Sequence, residues 1–404
     1  MKVLQINSVV NSGSTGRIAE DLGDVLLKNN HKSYIAYGRN NRESSSETIR
    51  IGTEFDLVIH GVVSRVFDRH GFASTTATKK LIQQIEIISP DIIHLHCLHG
   101  YYINVKELFE YLERRKVPVV WTFHDAWAFT GHCTYFDQVN CYKWQTQCNK
   151  CPNLKAYPTS LFLDNSFRNF MEKKELFNKI DKMIIVSPSK WLGNFSEISF
   201  LNKYPVRIIY NGIDMDVFKI SDTSNLSVKY ATGDNKIILG VASVWGKRKG
   251  LDDFIKLSEM LGADYTIILV GLSKSQQKQL SAGMIGLDRT ESVEELARLY
   301  SFADVFVNPT WVDNFPTTNL ESLACGTPVI TYDTGGSPES IDEQTGIVVP
   351  KGDLIRLKNA VLEILSSPKS AFQHLCRERA IKYFNKNDRY EDYISLYKEL
   401  LNNK

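Results

Sequence analysis

The sequence contains no run of 18 apolar residues, the length a bilayer-spanning helix needs. Its opening residues, MKVLQINSVV, lack the long apolar core and small-residue cleavage site of a secretion signal and read instead as a strand. Charge of one sign is scarce as well. A formal net charge of +2 gives no global case for nucleic acid, so any basic partner surface has to be local. No repeat with a period of 20–50 residues and no low-complexity tract is present, which excludes solenoids and disordered linkers. Seven cysteines without a leader argue for a reducing compartment, where they serve as thiols or metal ligands. The expected location is the cytoplasm.

What is present is a chain of 404 residues, 43% hydrophobic and 23% charged, too long for one ordinary core. Short apolar runs alternate with helical patterns. Val3–Ile6, Ser33–Ala36, Ile92–Leu95, Pro118–Phe123, Met183–Val186 and Val206–Ile209 read as buried parallel strands. Helical patterns fall around 16–29, 79–88, 104–115, 164–179 and 189–198. The alternation restarts with Ile237–Ala242, Tyr265–Val270, Val305–Val307 and Pro328–Thr331, after a polar stretch near residue 220. Two such series predict an α/β chain with two Rossmann-like domains facing a cleft. The expected domains are 1–212, 213–384 and a C-terminal helix over 385–404. Tyr390, Tyr393, Ile394, Tyr397 and Leu400 give that helix a core-like face.

Ligands of such sheets bind beyond the carboxyl ends of the strands, and four features fall there. NSGSTGRIAE follows the first strand, and its Gly13 and Gly16 permit close backbone approach to a ligand or simply a flexible loop. WTFHDAW places His124 and Asp125 just past a strand, where a histidine either serves a sugar hydroxyl or phosphate or is satisfied locally. His94 and His96 share a face of the preceding strand; His96 lies nearer its end, and His94 reads as core. VASVWGKRKGLDDF ends a strand with Lys247, Arg248 and Lys249, a cation set suited to a pyrophosphate unless it is merely a solvated face.

The fourth feature is DNFPTTNLESLACGTPVI, followed by the Gly335-Gly336 turn. Pro316 suits a first helical position, and Gly326 suits the residue just past the helix end. The N–H groups of Thr317 and Thr318 then sit at the positive end of a helix dipole, with Asp313 and Glu321 on either side.

NGID, KRKG, DNFPTTNLESLACGTPVI and GGSPE together resemble the retaining, nucleotide-sugar-dependent glycosyltransferases of family four, over essentially the whole chain. Within that family the likeness is to the colanic-acid and capsular-polysaccharide branch. The resemblance implies a GT-B fold, with the C-terminal helix crossing back to the first domain. It implies transfer of a hexose from a UDP- or GDP-sugar to a glycan or lipid-linked glycan, in surface polysaccharide synthesis, without a catalytic metal. The family's two carboxylates correspond to Asp313, on the sugar hydroxyls, and Glu321, on the nucleotide ribose. Its phosphate lysine corresponds to Lys249, its first-domain histidine to His124 and its glycine-rich loop to Gly16. Phe315, Thr317 and Thr318 complete the implied donor site, with His96 and Asp125 on the acceptor side. The chain departs twice: Asp313 stands where the family has Glu, and Val244 where it has Arg, so Arg248 or Lys247 is expected to replace that arginine. These departures keep two rivals in view. One is a same-fold epimerase or hydrolase; the other is a non-catalytic nucleotide-sugar-binding scaffold.

Two further expectations concern the first domain. Cys133, Cys141, Cys148 and Cys151, spaced C-x7-C-x6-C-x2-C inside 131–154, predict a structural zinc site, with free thiols or a redox-labile pair as the alternatives. Between Val58 and Lys80, apolar residues (Val62, Val63, Val66, Phe67, Phe72) mix with Arg65, Arg69, His70, Lys79 and Lys80. That stretch reads as a peripheral contact with anionic membrane or as a helix with a solvated face.

Overall fold

Apolar runs between helices build two all-parallel sheets. The first joins β1 (Lys2–Asn7), β2 (Lys32–Tyr37), β3 (Glu47–Arg50), β4 (Ile92–Leu95), β5 (Val119–Thr122), β6 (Met183–Ser187) and β7 (Val206–Ile208). The second joins β8 (Lys236–Val241), β9 (Tyr265–Val270), β10 (Met284–Leu287), β11 (Val305–Asn308), β12 (Val329–Tyr332) and β13 (Gly346–Val349). The strand orders are β3-β2-β1-β4-β5-β6-β7 and β10-β9-β8-β11-β12-β13. Each sheet therefore reverses direction beside its first strand, between β1 and β4 and between β8 and β11. These switch points open crevices at the strands' carboxyl ends. The central strands β4, β5, β11 and β12 are buried along their whole length, as continuous apolar runs demand.

This computed structural model describes residues 1–402. The chain divides into two units, Met1–Ile209 with the chain from Tyr390 onward, and Tyr210–Arg389. Each is a Rossmann-like α/β domain. The C-terminal helix Lys386–Asn402 buries Tyr390, Tyr393, Ile394 and Tyr397 in the first unit, in one cluster with Val3, Ile18 and Leu22. The Tyr397 hydroxyl meets His94 Nδ1 at 2.7 Å, and the Tyr393 hydroxyl meets Thr122 Oγ1 at 3.1 Å. Among the described residues no helix is long and apolar enough to cross a membrane.

Several expectations need correction. Strands β3, β10 and β13 have no counterpart in the sequence reading; they lie toward the sheet margins, and β3 is largely exposed and polar. Helix Glu54–Phe67 begins with a capping box between Thr53 and Asp56. Its amphipathicity is partly inverted, with Phe55, Val58 and Val62 more than half exposed. Arg69 and His70 do not join that surface. Arg69 pairs with Glu172 at 2.6 Å and stacks 4.0 Å from the Phe72 ring, and His70 is buried.

Candidate active site

In the second unit the loop after β8 turns through Lys247–Lys249 and is stitched to the loop after β11. The backbone N–H of Trp311 donates to the Arg248 carbonyl at 2.8 Å, and the Arg248 guanidinium donates to the Val312 carbonyl at 3.0 Å. Gly250 allows the approach, because a Cβ there would lie 2.2 Å from the Pro309 carbonyl oxygen. The turn thereby delivers Lys249 Nζ to within 2.5 Å of Asp313 Oδ2, both side chains mostly buried.

Asp313 is held from its other side by the glycine turn. Gly336 N–H donates to the Asn314 carbonyl at 2.7 Å, and Gly335, at φ +56°, sits against the Asp313 carbonyl. The helix then runs Thr317–Ala324. Pro316 is the N-cap rather than the first helical residue, because its ψ of 118° is still extended. Gly326, at φ +75°, does occupy the position past the helix end. Phe315 stacks on Tyr210 with ring centroids 5.0 Å apart, and Asn211 Nδ2 donates to its carbonyl at 3.3 Å. Glu321, one turn into the helix, is 5% exposed and accepts from the Tyr300 hydroxyl at 2.9 Å. Val244 projects into solvent, 75% exposed. The second unit thus unites Lys249, Asp313 and the first turn of the helix, with Arg248 bracing the loop backbone.

In the first unit, Gly16 lies in the opening turn of helix Gly13–Lys28, its carbonyl accepting from Asn11 N–H at 3.2 Å. At the ends of β4 and β5, His96 Nδ1 and His124 Nε2 lie 3.1 Å apart. Burial lowers His124 to about 4, so its ring is neutral near pH 7. Asp125 faces a different partner from any expected. Its Oδ2 is 2.7 Å from His99 Nε2, its Oδ1 accepts from Trp127 N–H at 2.9 Å, and His99 Nδ1 is 3.2 Å from the Tyr157 hydroxyl. Burial alone would lower His99, but Asp125 and Tyr157 outweigh it and hold the imidazole well above its ordinary value. Asp125 is correspondingly lowered: burial opposes its charge, and His99 overcomes that. Sequence reasoning missed His99 and Tyr157. The available signal for His99 was a third histidine past the end of β4, the position where such sheets bind ligands.

The expected four-thiolate zinc array is not assembled. Cys133, Cys141, Cys148 and Cys151 line one small cavity with His132 and Trp144. However, among the described residues only Cys97, His99 and Asp125 bring three potential ligand atoms within 4.8 Å of one another. Three of the thiols have other partners. Cys148 Sγ accepts from Gly131 N–H at 3.3 Å, and Cys133 hydrogen-bonds Cys151, which raises Cys133 and lowers Cys151 to about 7. The trio at His99 is an ion pair with a neighbouring thiol, both of its ring nitrogens already having partners.

Comparison with known proteins agrees with this architecture. Residues 15–217 match the Glycosyltransferase Family 4 profile and residues 235–367 match Glycosyl transferases group 1. The chain is 25% identical to the putative colanic acid biosynthesis glycosyl transferase WcaC of Escherichia coli K12, over 99% of this chain and 100% of that one. It is 26% identical to the D-inositol 3-phosphate glycosyltransferase of Mycobacteroides abscessus, over 45% of this chain and 44% of that one. Among solved structures, sucrose-phosphate synthase from Thermosynechococcus elongatus superimposes with a TM-score of 0.74 at 17% identity, covering all of both chains. Anabaena HepE in complex with UDP-glucose gives 0.67 at 16% identity, over 98% of this chain and 99% of that one. The fold is GT-B, and the chain belongs to glycosyltransferase family 4.

Proposed function

We propose that this glycosyltransferase moves a hexose from a nucleoside-diphosphate sugar to a glycan or lipid-linked glycan acceptor, with retention at the anomeric carbon, in polysaccharide biosynthesis. The observation that carries the reading is the Lys249–Asp313 pair at the mouth of helix Thr317–Ala324, beside the β8–β11 switch point. A departing diphosphate needs cations and free N–H groups, which Lys249, the Lys247–Arg248 turn and the N–H groups of Thr317 and Thr318 supply. The hydroxyls of the transferred sugar need an acceptor beside them, the role of Asp313. Glu321 accepts the ribose hydroxyls, one carboxylate having capacity for two. In the first unit Gly16 lets the backbone approach the donor, His124 serves the transferred sugar, and His96 and Asp125 support the acceptor side. HepE, solved with UDP and with UDP-glucose, and WcaC, with its colanic acid designation, support the donor and pathway classes.

The test is incubation with a panel of UDP- and GDP-sugars, following diphosphate release with and without lipid-linked acceptors, and NMR of the product's anomeric configuration. Acceptor-dependent release and a retained configuration are expected. Free sugar or an epimer formed without acceptor would identify the hydrolase or epimerase, and binding without turnover the scaffold. The exposed face of Phe55, Val58, Ile59 and Val62 supports a peripheral membrane contact for a lipid-linked acceptor. Co-sedimentation with phosphatidylglycerol vesicles, lost in Phe55→Ser/Val62→Ser, is the expected result.

A further inference from the structure

We infer that Arg39 and Arg65, gathered at the Tyr101 ring, form an anion subsite for the phosphate groups of a lipid-linked acceptor, whose lipid runs out over the apolar face beside Arg65. The use made of that lipid rests on the transferase reading; its capture does not.

The subsite begins at the β1–β4 switch point of the first unit, the crevice in which such sheets hold ligands. Arg39 follows β2, and its backbone N–H donates at 3.0 Å to the carbonyl of Ser8, just past β1. Gly100 and Tyr101 follow β4, at φ +127° and +68°. The second value is a left-handed conformation that a bulky side chain seldom adopts, and such strain persists only where the surroundings fix it. His70 Nε2 helps fix it by accepting from Gly100 N–H at 3.2 Å, and the His70 ring packs 4.8 Å from that of Tyr101. The Tyr101 ring then lies 6.0 Å from the guanidinium carbon of Arg39 and 5.3 Å from that of Arg65. Tyr157, 6.0 Å from the same ring, leads on to the His99–Asp125 pair.

The ring attracts both guanidiniums but carries no net charge to balance them. Among the described residues neither forms an ion pair. Arg65 donates to the Gly61 carbonyl at 3.3 Å, and Arg39 Nε is buried without a hydrogen-bond partner. A merely solvated arginine would keep that nitrogen in water. Guanidinium forks match the oxygens of a phosphate, so the pair suits phosphate better than a neutral sugar. The neighbouring surface points to a lipid's phosphate. Arg65 shares a helical stripe with Val58 and Val62, 63% and 53% exposed. Its carbonyl accepts from Leu161 N–H at 2.8 Å, which lays Leu161 and Phe162, both exposed, alongside. An apolar patch that ends on two unpaired cations has the polarity of a lipid phosphate, tail on one side and anion on the other. A soluble phosphate gains nothing from the apolar part.

The test is flotation of the full-length protein with phosphatidylcholine vesicles carrying either a polyprenyl diphosphate or phosphatidylglycerol at equal surface charge. Capture by the diphosphate vesicles should be about tenfold stronger. Arg39→Gln and Arg65→Gln should each weaken it about tenfold, the size of one charge-assisted hydrogen bond, while UDP affinity holds. Equal capture by both vesicles overturns the inference, and so does capture unmoved by either substitution. Titration calorimetry with inorganic diphosphate separates the sources. Its binding through Arg39 and Arg65, read as the difference between wild type and variants, should be much weaker than that of the lipid. Equal affinity would make this a site for a soluble phosphate and overturn the lipid assignment. Should a variant fail to fold, the wild-type preference between vesicles still decides. If that preference is found and no nucleotide sugar is turned over, the transferase reading fails and the subsite survives. Turnover of a lipid-linked acceptor with unchanged KM in both variants removes the subsite and keeps the transferase.

Discussion

At the scale of one side chain, the role proposed for Asp313 separates chemistry from binding. Its carboxylate accepts the Lys249 ammonium and, in the proposed reading, the sugar hydroxyls. Asp313→Asn keeps the shape and removes the charge, so turnover at saturation should fall far more than nucleotide affinity. Glu321→Ala should do the reverse, because the ribose contacts proposed for it would be made equally before and during reaction. Isothermal titration with UDP and GDP beside steady-state turnover separates the two. Loss of nucleotide binding in Asp313→Asn with turnover intact would reassign that residue. Lys249→Ala should lower turnover by roughly 10²–10³, as when a transition-state charge partner is lost. A folded Lys249→Ala protein with unchanged turnover would remove Lys249 from the mechanism.

Two contacts between elements carry more than their residues suggest. Lys173, on helix Ser166–Phe177, is buried, and its ammonium donates to the Trp127 carbonyl at 2.8 Å and the Thr130 carbonyl at 3.2 Å. It also lies 3.4 Å from the centre of the Trp127 ring, and burial lowers it to about 7. Lys173→Ala strands two buried carbonyls and opens a cavity, so a loss of about 3 kcal/mol is expected in urea unfolding of the first unit. In the second unit a Cβ at Gly335 would sit 1.7 Å from the Asp313 carbonyl oxygen. Gly335→Ala should therefore displace the loop bearing Asp313 and reduce turnover with little change in vesicle or acceptor binding, readable by single-turnover assay. Neither effect was legible in advance. The glycines marked a turn, but which backbone they touch depends on a loop over twenty residues away, and nothing local distinguishes a buried lysine from a surface one.

Over the whole molecule, histidine is distributed unevenly: of nine, eight lie in the first unit and one, His374, in the second. Burial holds His60 down to about 3, His124 to about 4, and His70, His94 and His96 well below the ordinary range. The unfolded chain takes up protons below pH ~6.5 that these folded sites refuse, so the first unit should lose stability as pH falls through that range. His99 and His132 act oppositely. Their folded values are raised, so their stabilisation is complete below about 6.5 and lost as pH rises through those values. His31 is lowered too, by burial first, so six lowered groups oppose the two raised ones. Hydrogen exchange should show first-unit protection falling about tenfold or more between pH 7 and 5, with the second unit spared. Equal loss in both units would contradict this account.

The sequence by itself determined the two βα series, the buried central strands, the C-terminal helix and the family motifs. All of these are short-range signals: apolar runs, helical spacing, and glycine or proline at turns. Three things were decided only by the tertiary structure. The edge strand β3 forms because a neighbouring strand offers hydrogen bonds, not because its own residues are apolar. Asp125 pairs with His99, and Gln5 reaches His96, across 26 and 91 residues. The four cysteines share a cavity without closing on a metal geometry, although their spacing alone suggested one. Spacing along a chain sets which side chains can meet; the packing of strands and loops against one another sets the ångström distances on which coordination, proton position and charge depend.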